Sequence, residues 1–242
     1  MIRTRSHSSI SRPWIFVNMA MTADGKIASA NRVVHTFGSA RDLAQLYTLR
    51  STADAILCGA RTVEISEATL GNGPEKFTRR RQRAGRAKFP LRIVVSGSAS
   101  LSPTAKIFQT GEAPLIILVS GRAPGARIRK LQALADHVKI FGGAEVDFAA
   151  AFAWLHSEFG IRRLLCEGGA EVNDALFRAD LVDEINLTHC PLILGGRSAP
   201  TIAEGQGLAK LALTKDFQLQ SRKFFKGELF TSFIRTSPVK KI

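Results

Sequence analysis

The sequence contains few of the residues that mark several large classes of protein. Its 242 residues include three cysteines, one tyrosine and two tryptophans, and 20 acidic side chains stand against 34 lysines and arginines. Three scattered cysteines without C-x-x-C spacing argue against a disulfide framework or a zinc site, and predict buried, inert thiols. No apolar run approaches the roughly 20 residues of a membrane helix. We therefore expect no metal, no membrane partner and a reducing, cytoplasmic location.

The shortage of acid leaves a formal net charge of +14. A charge of this size attracts anions, which include nucleic acids, anionic lipids and phosphorylated small molecules. Residues 71–90 hold seven of the cations and one acid, Glu75, and are predicted to form an exposed basic excursion. No zinc-finger or recognition-helix pattern accompanies them, so a nucleic acid is the less favoured partner.

Apolar runs alternate with helical patterns along the chain, which predicts an α/β fold. Trp14–Ala20 opens as a strand, and Ser39 followed by Asp42 predicts a capping box that starts a helix ending near Arg50. The last two runs, 217–223 and 228–235, predict a C-terminal β-hairpin. We expect a mostly parallel mixed sheet flanked by helices, in one domain over residues 14–242 after a flexible leader, 1–13.

Three segments at predicted strand ends carry the candidate chemistry. Gly168-Gly169 follows a strand and opens a helix, a pattern that lets backbone amides approach a phosphate, although a tight turn without a ligand fits it almost equally well. Arg61-Thr62 follows the strand-ending Gly59, where a guanidinium and a hydroxyl suit a nucleotide phosphate or, equally, an ordinary helix start. Asn18 to Lys26 is a strand running into a turn, which can form the rim of a pocket.

Taken together, these segments resemble a known family. The matching pattern runs in order through Asn18-x-Ala20, Asp24-Gly25-Lys26, Arg50-x-x-Ala53-Asp54, Gly59-x-x-Thr62-Val63, Glu167-Gly168-Gly169, Leu181-Val182-Asp183-Glu184 and Pro191-x-x-Leu194-Gly195-Gly196. It resembles the C-terminal reductase domain of riboflavin-biosynthesis deaminase-reductases, and equally their stand-alone relatives. The H-x-E and P-C-x-x-C zinc motifs of the deaminase domain do not occur in this sequence.

The resemblance implies a dihydrofolate-reductase-like fold, a homodimer and NADPH as cofactor. It also implies reduction of the ribosyl group of a phosphorylated ribosylaminopyrimidine, either the uracil or the diaminopyrimidine form, by hydride transfer to C1′. Catalytic candidates are Glu167 and Asn18. Carried over by position, the cofactor-binding candidates are Ala20, Gly59, Arg61, Thr62, Gly168, Gly169, Ala170, Glu171, Val172, Asn173 and Asp174. The substrate-binding candidates are Glu167, Asn18, Val34, Ser66 and Leu70.

The substrate side departs from the family pattern more than the cofactor side does. Val34 and Thr36 replace the serine and tryptophan of bacterial members, Ser66 replaces an aspartate, and Gly73 stands where the family places an arginine for the substrate phosphate. Arg79, Arg80 or Arg81 could supply that contact instead, although a solvated cation is the simpler interpretation. Reduction of another substrate, such as a dihydropterin, therefore stays open as an alternative, as does nucleic-acid binding.

Overall fold

The computed structural model describes residues 12–33, 37–210 and 213–236. In these residues nine strands form one sheet, in the order β5-β4-β3-β2-β6-β1-β7-β9-β8. The strands are β1 Trp14–Thr22, β2 Ala55–Gly59, β3 Leu91–Val95, β4 Leu115–Val119, β5 His137–Ile140, β6 Arg163–Cys166, β7 Glu184–Cys190, β8 Phe217–Phe225 and β9 Glu228–Arg235. The helices are α1 Ala40–Arg50, α2 Ala60–Ser66, α3 Glu75–Arg83, α4 Gly125–Gln132, α5 Phe148–Phe159 and α6 Ala170–Arg178, with a 3-10 turn at Lys106–Phe108.

The sheet is parallel from β5 to β7, and the closing hairpin makes it mixed. β9 runs antiparallel to both β7 and β8. Strands β2, β3 and β4 are buried along their whole length, as expected for parallel strands covered on both faces. The predicted α/β architecture with a C-terminal hairpin is confirmed.

Alternate residues of the central strands enter two separate cores, because successive side chains of a strand point to opposite faces. Ile15 and Leu57 pack with α5 and α6 on one face. Phe16 and Ile56 pack with α1, α2 and α4 on the other. Because the strands from β5 to β7 in the sheet are parallel, their carboxyl ends lie together at one edge, where loops lead into helices on both faces.

The basic segment is more structured than the sequence suggests. Residues 75–83 form the helix α3, which buries Phe77, Thr78 and Arg81 and leaves its other six residues exposed. Arg81 is 1% exposed and donates hydrogen bonds to the carbonyls of Arg50, Ala53 and Ala87. Its guanidinium therefore joins α3 to the end of α1, and Arg81 is not free to bind a phosphate. Arg79 and Arg80 are exposed.

Two further expectations concern the chain's start and its cysteines. Residues 1–11 of the predicted leader lie outside the described residues. Arg12, the first described residue, forms a bidentate ion pair with Asp183 at 2.7 and 2.8 Å. All three cysteines are free and buried, as predicted. Burial raises the pKa of Cys166 to about 12 and that of Cys190 to about 11, so neither is a ready nucleophile.

Candidate active site

A cavity of about 860 Å³ opens at the carboxyl ends of the central parallel strands. This is where open α/β sheets bind ligands, because the loops that leave the strands diverge there. The structure brings most of the predicted site residues to its wall. Those that form part of its lining are Asn18, Ala20, Gly59, Arg61, Thr62, Ser66, Glu167, Gly169, Ala170, Glu171, Val172 and Asp174.

One half of the cavity has walls of closely approaching backbone. The amide of Gly59 donates to the carbonyl of Gly168 at 2.8 Å, which joins the β2–α2 turn to the β6–α6 turn. A Cβ at Gly169 would lie 2.5 Å from Thr62 Oγ1, and one at Gly59 would lie 3.1 Å from Val172 Cγ2. Only glycine fits this contact. The peptide between Gly168 and Gly169 is cis.

The glycine turn leaves the start of α6 open to the cavity. Gly169 is the N-cap of this nine-residue helix, and no side chain caps its first amides. Uncapped amides and the positive end of the helix dipole favour a phosphate at this position. Thr62 stands directly opposite. The arrangement suits a phosphate group of a ligand.

A cationic, hydroxyl-rich wall continues from the glycine turns. Arg61 and Arg122 are exposed and line the cavity, together with Ser96, Ser98 and Ser100 after β3. A Cβ at Gly97 would meet Arg122 Nη2 at 3.5 Å, so this guanidinium lies beside the serine turn. Sequence reasoning found Arg61 but missed Arg122, because Arg122 follows β4 and lies in none of the matching motifs.

The other half of the cavity is formed by side chains from α1 and the end of β6. Arg50 Nε and Nη2 donate to the two carboxylate oxygens of Glu167, each at 2.6 Å, and Arg50 Nη1 donates to the Gly71 carbonyl at 2.6 Å. Each side chain of the pair is 11% exposed. Burial disfavours the charge on Arg50, but Glu167 outweighs this and raises the pKa of Arg50. Both oxygens of Glu167 are thereby occupied by the Arg50 guanidinium.

The Tyr47 ring packs against Gly73. A Cβ at Gly73 would lie 2.2 Å from that ring, and Gly73 also has a φ of +73°. The same ring packs 5.4 Å from the Phe77 ring and lies under the Arg50 guanidinium. Tyr47 therefore occupies the space that a side chain at position 73 would need. The two residues are 26 positions apart, so no local sequence pattern reveals this contact.

Several predicted residues lie elsewhere. Asn173 is fully buried, where it donates to the Ile202 carbonyl at 2.7 Å and accepts from Cys166 Sγ at 3.4 Å. Leu70 is 1% exposed in the core beside α2. Neither Leu70, Asn173 nor Gly168 belongs to the cavity lining, although Gly168 positions the turn. Val34 and Thr36 lie outside the described residues.

Comparison with known proteins agrees with this geometry. The family model described as the RibD C-terminal domain matches residues 13–225. The chain belongs to this family. It is 35% identical to the 2,5-diamino-6-ribosylamino-4(3H)-pyrimidinone 5′-phosphate reductase of Archaeoglobus fulgidus, over 82% of this chain and 90% of that protein. It is 36% identical to the reductase of the same name from Methanothermobacter thermautotrophicus, over 90% of this chain and 95% of that one.

Solved structures show the same fold. A pyrimidine reductase-like protein from Corynebacterium diphtheriae superposes with a TM-score of 0.81 at 21% identity, covering 93% of each chain. A Saccharomyces riboflavin biosynthesis reductase gives 0.66 at 19% identity, over 96% of this chain and 93% of that one. The expected dihydrofolate-reductase-like fold is thus confirmed. The chain spans about 59% of the Acinetobacter baumannii RibD chain that it also resembles.

Proposed function

We propose that this family member is an NADPH-dependent reductase of 2,5-diamino-6-ribosylamino-4(3H)-pyrimidinone 5′-phosphate, the compound named for its relatives. The observation that carries the proposal is one continuous cavity with two differently built halves. One half, the glycine cradle, is formed by the turns at Gly59 and Gly168-Gly169 and has room for a dinucleotide. The other half is lined by polar side chains that can hold a small phosphorylated substrate.

The cofactor would lie along the glycine half. Gly59, Thr62 and Gly169 would hold its pyrophosphate beside the start of α6, and Ala20 would line the end nearest β1. NADPH would supply the hydride, leaving binding and orientation to the protein. Arg61 and Arg122 would bind the 2′-phosphate through charge-assisted hydrogen bonds, which would favour NADPH over NADH.

The substrate would occupy the half between α1 and β6. Reduction adds a hydride to C1′ of the opened ribosylamine and a proton to balance the charge. Glu167 accepts hydrogen bonds from Arg50 on both oxygens, so it suits orientation of a hydroxyl or amine of the substrate. Asn18 lines the same cavity and can both donate and accept. Ser66, whose hydroxyl donates to the Thr62 carbonyl at 2.7 Å, would contribute contacts but no acid.

A homodimer in the cytoplasm completes the proposal. Support comes from β8, an edge strand with exposed apolar side chains: Leu219 is 44% exposed, Phe224 74% and Phe225 44%. An apolar edge of this kind is typical of an interface. Within the described residues, no helix has the length and apolarity needed to cross a bilayer. Sedimentation equilibrium of wild type and Phe224→Glu would test the dimer.

The direct test follows NADPH oxidation by absorbance with the diamino compound, its uracil counterpart and a dihydropterin as separate substrates. Oxidation with the diamino compound, and formation of the ribitylamino product by mass spectrometry, would support the proposal. Oxidation with the dihydropterin alone would replace it. Binding of RNA that weakens steeply with salt, without NADPH binding, would favour the nucleic-acid alternative.

A further inference from the structure

Asp42 is one of seven acidic residues that line the cavity; the others are Glu67, Glu145, Glu167, Glu171, Asp174 and Glu204. Asp42 lies in the first turn of α1 and lines the cavity together with Asn18. Across from it, the hydroxyl of Thr188 on β7 faces the carboxyl group. Thr188 pairs with Ala20 in the sheet, two residues along β1 from Asn18 and on the same face. Asp42 therefore faces the part of the cavity that Asn18 and Ala20 border.

The sequence predicts that the Asp42 carboxyl accepts a hydrogen bond from the Ser39 amide, as in a capping box. In the structure, Glu228 accepts that hydrogen bond instead. The Ser39 amide donates to Glu228 Oε1 at 2.7 Å, and its hydroxyl donates to Glu228 Oε2 at 2.5 Å. Ser39 still caps α1 through its oxygen, as predicted. The prediction of a reciprocal capping box is therefore wrong, and the Asp42 carboxyl is left without a helix-capping role.

Among residues 12–33, 37–210 and 213–236, no ion pair involves Asp42, whereas Glu167 is bound by Arg50 on both oxygens. The ionisable groups that face Asp42 from neighbouring strands are Glu228 on β9 and the Cys190 thiol on β7. Burial raises the pKa of Asp42, the Thr188 hydroxyl opposes that rise, and the negative charge of Glu228 adds to it. A ligand that donates hydrogen bonds would relieve this cost.

We infer that Asp42 determines specificity for the pyrimidine base by accepting hydrogen bonds from its C2 amino group and N3–H. This inference rests on the proposed function. The compound named for the relatives carries an amino group at C2 and hydrogen on N3, which are two adjacent donors. A carboxylate offers two adjacent acceptors and matches that edge. The uracil counterpart has a carbonyl at C2, whose oxygen would face a carboxylate oxygen with no proton between them.

The test compares Asp42→Asn with wild type on both bases. We expect wild type to favour the diamino compound in kcat/KM. Asp42→Asn should lower kcat/KM for it about 10- to 100-fold, mostly through KM, and should leave the value for the uracil compound unchanged or higher, because an amide can donate to a carbonyl. Glu158→Gln, an exposed carboxyl-to-amide change on α5, is the matched control and should change neither value.

A pH profile separates recognition from a structural effect. Only the carboxylate accepts two hydrogen bonds, so wild-type kcat/KM for the diamino compound should rise with pH through the pKa of Asp42, and Asp42→Asn should lack that rise. An equal loss on both bases, or no change on either, would overturn the inference. NADPH affinity and the thermal midpoint of each variant report whether it is folded, and Asp42→Ser provides a second substitution.

A failure of the proposed function can be distinguished from a failure of the role inferred for Asp42. If wild type oxidises NADPH with neither base, the Kd values of both compounds in the presence of NADP⁺ still decide the role of Asp42. Tighter wild-type binding of the diamino compound, lost in Asp42→Asn, would support it. Equal binding of the two compounds by wild type would overturn it.

Discussion

The two halves of the cavity differ in what forms their walls. Around Gly59 and Gly169 the wall is backbone, packed so closely that an added Cβ would collide with Thr62 or press against Val172. Beside α1 the wall consists of side chains, chiefly Asp42, Tyr47 and the Arg50–Glu167 pair. A wall with no room for a Cβ restricts the residue type at those positions. A wall of side chains presents functional groups, so its chemistry changes with each substitution.

Gly169→Ala should have the largest effect, and only on the backbone half. The new Cβ would lie 2.5 Å from Thr62 Oγ1, so the Thr62 side chain or the β6–α6 turn must shift, and either movement disturbs the position that the pyrophosphate would occupy. We expect NADPH affinity to fall by about 100-fold or more, since misplacement by about 1 Å is that costly. Quenching of protein fluorescence by NADPH would measure it. Gly111→Ala, where nothing lies within 4 Å, is the control, and an unchanged affinity in Gly169→Ala would contradict the cofactor position.

Glu167→Gln should affect the side-chain half instead. It leaves the buried Arg50 guanidinium without an anion, which costs about 3 kcal/mol in the free energy of unfolding. Turnover should fall at least tenfold while NADPH affinity stays within about twofold, because the Glu167 carboxylate bonds to Arg50 of α1, on the substrate side of the cavity. Urea titration and steady-state kinetics would measure both. A variant that lost NADPH affinity and kept its turnover would show that the two halves have been assigned the wrong way round.

Arg122→Ala should separate recognition of the 2′-phosphate from binding of the rest of the cofactor. Loss of one charge-assisted hydrogen bond to the 2′-phosphate is worth about 1.5 kcal/mol, so we expect NADPH affinity to fall about tenfold and NADH affinity to stay unchanged. Competition titrations with both nucleotides would show the difference. Arg129→Ala, on α4 outside the cavity lining, is the control. Equal losses for NADPH and NADH would mean that Arg122 does not contact the 2′-phosphate.

The same contrast explains how far sequence reasoning could go. The β6–Gly168-Gly169–α6 unit is local: an apolar run, two glycines and a helical pattern follow each other, so its elements were predictable to within a residue or two. The Arg50–Glu167 pair joins residues 117 positions apart and depends on β2 and β6 being neighbours. Arg81 sits in a run of charge, yet it is buried because carbonyls of α1 and the following turn need donors. Such pairings follow from topology, which no local pattern reveals.

Outside the cavity wall, Asp24 links the turn after β1 to the loop after β7. Its carboxylate accepts from Thr22 Oγ1 at 2.6 Å and from the amides of Leu194 and Gly195 at 3.1 and 2.7 Å. These hydrogen bonds lower the pKa of Asp24 from 3.8 to about 2. The bonds favour the ionised form in the folded protein, so their stabilisation is present above pH 4 and disappears as the pH falls from about 4 to about 2.

Asp24→Asn should therefore lower the thermal midpoint slightly at neutral pH and lose that difference in acid. Asn keeps one acceptor oxygen but not the charge that strengthens all three bonds, and the site is exposed to solvent, so the effect is the smallest of the series. Thermal scans of both proteins at pH 7, 5, 4, 3 and 2 would show midpoints that differ at first and converge below pH 4. A difference that persisted at pH 2 would assign the stabilisation to the shape of the side chain, not to its charge.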